Sequence, residues 1–176
     1  MNTVNNKRKQ ESVSKIKKAF VELLQTKEIK DISVTDICKI TNLNRSTFYA
    51  NFLDVYDLAD KVRESLESEL SSEFSVYRDN IKNDAAYKMF CHIKENQIFY
   101  KTYFKLCYES KHLVYIFDEE RATKEFGLKN IKYHIEFFRN GLNAIIKMWL
   151  ENGCEETPEE MAEILKQEYS GRSLKI

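Results

Sequence analysis

Glycine and proline are nearly missing from this chain: 4 and 1 respectively in 176 residues. Gly127, Gly141, Gly153, Gly171 and Pro158 all lie in the last third, so residues 1–126 contain neither type. An all-β fold needs a turn every 8–12 residues or so, and this composition does not supply that turn chemistry. Uninterrupted apolar runs are also missing. None approaches the roughly 18 residues of a membrane-spanning helix. The first 18 residues are polar and basic without an apolar stretch, which speaks against a secretory signal. The four cysteines (Cys38, Cys91, Cys107, Cys154) form no CxxC pair, so neither a zinc site nor a disulfide framework is expected, and the chain reads as a cytoplasmic protein with reduced thiols. Net charge is absent as well: 28 Lys+Arg oppose 28 Asp+Glu. Nucleic-acid binders commonly carry a basic excess, so the total argues against one. The distribution argues otherwise. Residues 1–53 hold 10 basic and 5 acidic side chains, and residues 54–176 hold 18 and 23. The zero is a sum over two opposite halves.

What the chain does have is helical periodicity. Val13, Ile16, Phe20, Leu23 and Leu24 make one helical stripe and predict a helix over about 11–26. Ser33-Val-Thr-Asp36 has the form of a capping box, with Asp in place of the longer Glu. A short helix follows, with Val34, Ile37 and Ile40 as its apolar face, and stops at Thr41-Asn-Leu-Asn44, where Asn42 can take the left-handed conformation. A third short helix begins near Arg45, with Phe48 and Phe52 turned inward. Asp54 and Asp57 then cap a longer helix carrying Leu58, Val62, Leu66, Leu70 and Phe74 at steps of four. Two short helices around a tight turn make a helix-turn-helix pattern, in which the second helix needs apolar anchors inside and hydrogen-bonding groups outside. Spacing alone fits equally well a three-helix packing unit that touches no DNA.

Residues 74–138 hold 15 of the 22 aromatics. Helices interleaving Phe and Tyr make either an aromatic core or the wall of a pocket with a few polar contacts. Residues 118–125 are charged and read as a solvated connection or helix surface. Ile131, Ile135, Phe138, Leu142, Ile145 and Trp149 step by 4, 3, 4, 3 and 4, a heptad seam that ends at Gly153. Thr157-Pro-Glu-Glu160 starts a last helix, with Met161 and Leu165 apolar. Two broad apolar helices can pack internally or pair with a second copy as a four-helix bundle, and the regularity of the seam favours a homodimer through these eight residues. His92, His112 and His134 show no HExxH spacing, and no glycine-rich phosphate loop is present, so no catalytic residue, metal or cofactor is expected.

The motif Ile32-Ser-Val-Thr-Asp-Ile37 followed by Thr41-Asn-Leu-Asn-Arg-Ser-Thr-Phe-Tyr-Ala-Asn-Phe52 resembles the DNA-binding domain of TetR-type transcriptional regulators, over residues 13–58. Phe90-Cys-His-Ile-Lys-Glu-Asn96 with Phe99-Tyr100, and Gly141 to Cys154 with Thr157-Pro-Glu-Glu160, resemble a C-terminal domain type of these regulators common in low-GC Gram-positive bacteria. The resemblance implies an all-α fold: an N-terminal three-helix DNA-binding domain over residues 1–53, and a helical ligand-binding and dimerisation domain over 54–176. It implies that Ser33 caps the second helix and meets a phosphate, and that Thr35, Arg45 and Ser46 face base edges. Arg45 can form a bidentate bond to guanine, worth about 1–3 kcal/mol of discrimination. Thr47, Tyr49 and Asn51 match phosphate-contacting positions. The departures from the family include Asn42 for the usual turn glycine, Ala50 for a frequent large aromatic, Asn51 for the usual His, and Val55 for a phosphate-gripping Lys. Grip on phosphate then leans on Lys7, Arg8, Lys9, Lys17 and Lys18. The expected function is a homodimeric regulator, a repressor in the first instance, that binds double-stranded operator DNA and responds to a small molecule without membrane association. Met89, Phe90, Tyr100, Tyr103, Phe104, Cys107, Tyr115 and Phe138 are the candidate pocket wall. The alternative is a dimeric module whose helix-turn-helix contacts protein, a reading that Val55 keeps open.

Overall fold

A computed structural model of the chain describes residues 4–78, 85–106, 123, 127 and 129–170. The fold is all-α, with no strand among the described residues. The helices are α1 (Val4–Leu24), α2 (Val34–Thr41), α3 (Arg45–Tyr49), α4 (Val55–Arg78), α5 (Ala85–Glu95), α6 (Gln97–Leu106), α7 (Ile131–Glu151) and α8 (Pro158–Ser170), with a 3-10 turn at Ile29–Asp31. Contacts divide the chain into two compact units. One comprises Met1–Glu67 with Thr102–Tyr108, the other Ser68–Lys101 with Glu109–Ile176. The charged stretch 118–125 lies outside the described residues apart from Thr123.

The first unit is built on a single apolar cluster. Ile16, Phe20 and Leu24 of α1, Ile37 of α2, Phe48 of α3, Phe52, and Val55, Leu58 and Val62 of α4 are buried together with Leu106. Each such side chain removed from water contributes about 1.5–3 kcal/mol before entropy is counted. Helix α1 begins at Val4, two turns before the periodicity predicts. The reason is physical: residues 4–10 contain no helix breaker, and residues 7–10 are exposed, so their helicity leaves no apolar signature. The C-terminal end of α6 belongs to this unit. Gln25 Nε2 donates to Thr102 Oγ1 at 3.1 Å, and Lys105 Nζ donates to the Leu24 carbonyl at 2.5 Å. That ammonium meets one of the carbonyls that a helix C-terminus leaves without an intrahelical donor.

In the second unit, α5 packs against α8. Phe90, Ile93, Tyr100, Leu142, Ile146, Trp149, Leu150 and Met161 are buried. Phe90 and Trp149 meet edge to face, ring centres 5.4 Å apart. After α7, Gly153 and Cys154 both have left-handed backbone, at φ 73° and 57°. The Cys154 N–H bonds the Trp149 carbonyl at 2.8 Å and so closes the helix end. Burial pushes the Cys154 thiol pKa up, which makes it a poor nucleophile. Thr157 and Glu160 form the expected capping box at the start of α8, with reciprocal bonds of 3.2 and 2.7 Å. Among the described residues no helix is long and apolar enough to cross a membrane.

Candidate nucleic-acid interface

The helix-turn-helix is assembled by its own caps. Ser33 Oγ accepts from the Asp36 N–H at 3.2 Å, and Asp36 Oδ2 accepts from the Ser33 N–H at 3.1 Å. Asp36 also accepts from the Ser33 hydroxyl and from Lys27 Nζ. Short as it is, Asp therefore completes the box that Glu usually makes. The backbone and side-chain hydrogen bonds from Ser33, followed by Lys27, hold the Asp36 carboxyl below the usual carboxylate range. At the other end of α2, Asn42 sits at φ 54°, ψ 36°, and the Asn42 and Leu43 N–H groups both reach the Cys38 carbonyl. This left-handed residue reverses the chain into α3 without glycine.

Helix α3 divides its side chains cleanly. Phe48 is fully buried, against Tyr49 at 5.5 Å and Phe52 at 5.6 Å between ring centres. Arg45, Ser46, Tyr49 and Ala50 are exposed, and Thr47 and Asn51 are half-buried. On α2, Ser33 is exposed and Thr35 half-buried. The Arg45 guanidinium donates from Nη2 to Thr35 Oγ1, joining α3 to α2 across the turn. Asn51 behaves differently from its neighbours. Its side-chain amide donates to the Thr47 carbonyl at 2.8 Å, and its Oδ1 is buried without a hydrogen-bond partner.

The start of α4 is closed to anions. Asp54 Oδ1 accepts from the Asp57 N–H at 2.8 Å, and Asp57 Oδ2 accepts from the Leu53 N–H at 2.9 Å. Lys61 pairs with Asp57 at 2.9 Å, donates to the Asn51 carbonyl and lies over the Phe52 ring. The hydrogen bond from Lys61, then that from Leu53, lowers the Asp57 pKa. Val55, where the resembling family has a phosphate-gripping Lys, is core at 7% exposure. A phosphate there would meet two carboxylates in place of free amides. Lysines elsewhere remain accessible. Lys7, Arg8, Lys9, Lys15 and Lys18 are exposed along α1, whereas Lys17 is tied to Ser65 Oγ at 2.8 Å. A groove of about 450 Å³ on α1 is lined by Lys9, Gln10, Val13, Ser14, Lys17 and Lys18. Sequence reasoning missed Lys61 and the Thr35–Arg45 bond. The first was visible as an Asp57–Lys61 spacing of four. The second needs the turn geometry.

The candidate pocket residues are distributed over both units. Met89, Phe90 and Tyr100 are buried and Phe138 half-buried in the second unit, while Tyr103 (buried) and Phe104 (half-buried) belong to the first. Cys107 and Tyr115 lie outside the described residues. The polar handle beside Tyr100 is His92, whose Nδ1 is 2.7 Å from the phenol oxygen. Of the seam, Leu142 and Trp149 are buried within the chain, as are Met161 and Leu165 of α8, and Ile131, Ile135, Phe138 and Ile145 are half-buried. The outward face of α7 is another stripe, Tyr133, Phe137 and Met148, each about 60% exposed; Ile164 of α8 is also exposed. Arg139 and Asn143, one turn apart on α7, are half-buried polar positions that the apolar pattern passes over. Tyr87 links to Cys91 and to Glu159 of α8, and those contacts push its phenol pKa up to about 12. No cluster of metal-ligating side chains exists among the described residues.

Residues 81–170 match a family of the TetR type described as the transcriptional regulator C-terminal region. An alignment 118 residues long, covering 61% of the chain, shows 30% identity to the HTH-type dhaKLM operon transcriptional activator DhaS of Lactococcus lactis subsp. lactis (strain IL1403). That match spans 62% of the relative's length.

Proposed function

Given that the chain belongs to the TetR-type transcriptional regulators with this C-terminal region, we propose that it binds a pseudo-palindromic operator as a homodimer and responds to a small-molecule effector. The observation that carries the reading is the division of α3. Phe48 anchors it to the core, while Arg45, Ser46 and Tyr49 stand in solvent beside a Thr35 that already contacts Arg45. A helix that enters the major groove needs that division of faces.

Residues 1–53 form the DNA-binding domain and 54–176 the ligand-binding and dimerisation domain. Arg45 and Ser46 face base edges, and Thr35 stands behind Arg45, bonded to it. Ser33, Thr47 and Tyr49 meet phosphates, and Asn51 joins them once its amide leaves the Thr47 carbonyl. Exposed α1 lysines supply the grip that the carboxylates of Asp54 and Asp57 deny to the start of α4. Helices α7 and α8 pair with those of a second copy, so that two recognition helices meet half-sites about 34–36 Å apart. The outward stripe of Tyr133, Phe137 and Met148, with Ile164, supplies contact surface. Leu142, Trp149, Met161 and Leu165, buried within the chain, hold that face in shape. The effector binds among the aromatics of the second unit, around Met89, Phe90, Tyr100 and Phe138. It releases DNA only to the extent that it prefers one spacing of the two heads over another.

Repression follows when the operator overlaps the promoter. Activation is the second reading, favoured by the name of the Lactococcus relative. Selecting bound fragments from the source genome, followed by gel shift and a promoter reporter, tests both. Specific fragments whose affinity falls steeply with salt support DNA recognition. Failure to bind its own promoter region at low salt overturns it in favour of a module that contacts protein. The sign of the reporter response decides between repression and activation.

A further inference from the structure

We propose that Thr35 is a positioning residue for Arg45, so that one base pair in each half-site is specified jointly by α2 and α3. This inference rests on the DNA-reading function above. Arg45 is exposed at the first position of α3, where a long side chain would sample many rotamers. In this protein its Nη2 donates to Thr35 Oγ1, ten residues back on the neighbouring helix. Thr35 is a sound anchor. It is half-buried and β-branched, hence stiff at χ1. It sits in the first turn of α2, whose start is fixed by the reciprocal bonds of Ser33 and Asp36. The turn that sets the two helices is itself closed by the left-handed Asn42 and its bonds to the Cys38 carbonyl.

The bond uses one of the five N–H donors of the guanidinium. The planar fork keeps enough donors for the O6 and N7 acceptors of a guanine. A restrained fork loses less freedom on docking than a mobile one, and wrong base pairs cannot recruit alternative rotamers of the same arginine. Thr35 therefore sharpens discrimination without touching a base. A side chain that merely supported the fold would instead weaken every sequence alike.

The test is a binding profile of the full-length protein over its selected operator and all single-base-pair variants of it. Thr35→Val keeps the shape and removes the hydroxyl; Thr35→Ser keeps the hydroxyl. Thr35→Val is expected to cut discrimination by about three- to tenfold at one base pair per half-site, the same pair that Arg45→Ala flattens. Thr35→Ser should rescue it, and Arg45→Ala with Thr35→Val should match Arg45→Ala alone. A Thr35→Val profile equal to wild type overturns the proposal. So does a loss at a different base pair, which would make Thr35 a base reader, or a uniform loss at all positions, which would make it structural. A wild-type protein with no preferred sequence overturns the DNA reading itself and this inference with it, and is told apart because no profile exists to be lost.

Discussion

The two compact units solve different problems with the same secondary structure. The helix-turn-helix unit is organised by bonds that close within a few residues: Ser33 with Asp36, Asp54 with Asp57, Asn42 with Cys38. The second unit is organised by which face of a long helix is covered. On α7, Leu142, Ile146, Trp149 and Leu150 are buried while Tyr133, Phe137 and Met148 stand out. Short-range bonds fix a local shape whatever lies around it. A helix apolar on several sides takes its buried face from partners far away in sequence. The first unit is thus preset in shape. The second is a surface whose role depends on what it meets.

The largest effects should come from breaking either core. Phe48→Ala removes a fully buried ring flanked by Tyr49 and Phe52 and should cost about 3–5 kcal/mol in urea unfolding. Leu142→Ala in the second unit should cost about 2–5 kcal/mol. A cost under about 1 kcal/mol at either site would mean that the residue is not core. Next comes the outward face of α7. With the proposed pairing of α7 with a second copy, Met148→Glu, at a position 59% exposed, should leave the helical content unchanged and raise the dimer dissociation constant by about tenfold or more, read by light scattering across a dilution series. An unchanged dimer would move the interface away from this stripe.

The caps give smaller effects. Ser33→Ala should cost about 1 kcal/mol. The Asp36 and Asp57 carboxyls are both held below their ordinary values. Their contribution is present above the unfolded carboxylate pKa, near 3.9, and is lost as pH falls through the lower folded values. The unfolding midpoint should therefore drop on acidification, and Asp36→Asn should flatten that drop. The smallest effect is at Asn42. Asn42→Gly suits φ 54° and should shift stability by a few tenths of a kcal/mol, whereas Asn42→Ala should cost about 1 kcal/mol.

This ordering mirrors what the sequence made legible. The all-α class, both capping boxes, the Asn42 turn and the inward Phe48 and Phe52 were readable because each depends on neighbours within a few positions. The first two turns of α1 were not: residues 7–10 are exposed, and exposed helix carries no apolar period. The heptad seam was real as a pattern, but Leu142 and Trp149 are covered by their own chain, and spacing cannot tell an internal partner from a second copy. Of the pocket candidates, Tyr100 falls in the second unit and Tyr103 and Phe104 in the first, a division along α6 that has no mark in the sequence. The Thr35–Arg45 bond had no signal at all in one dimension. It exists only once the turn has folded.

The most direct test of the account is titration of the purified protein against a fragment of its own promoter region at several salt concentrations, with Arg45→Ala alongside. Saturable binding by a dimer, an affinity that falls steeply with salt, and loss of sequence preference in Arg45→Ala are expected. Absence of binding at low salt, or binding that Arg45→Ala leaves equally selective, would contradict the account.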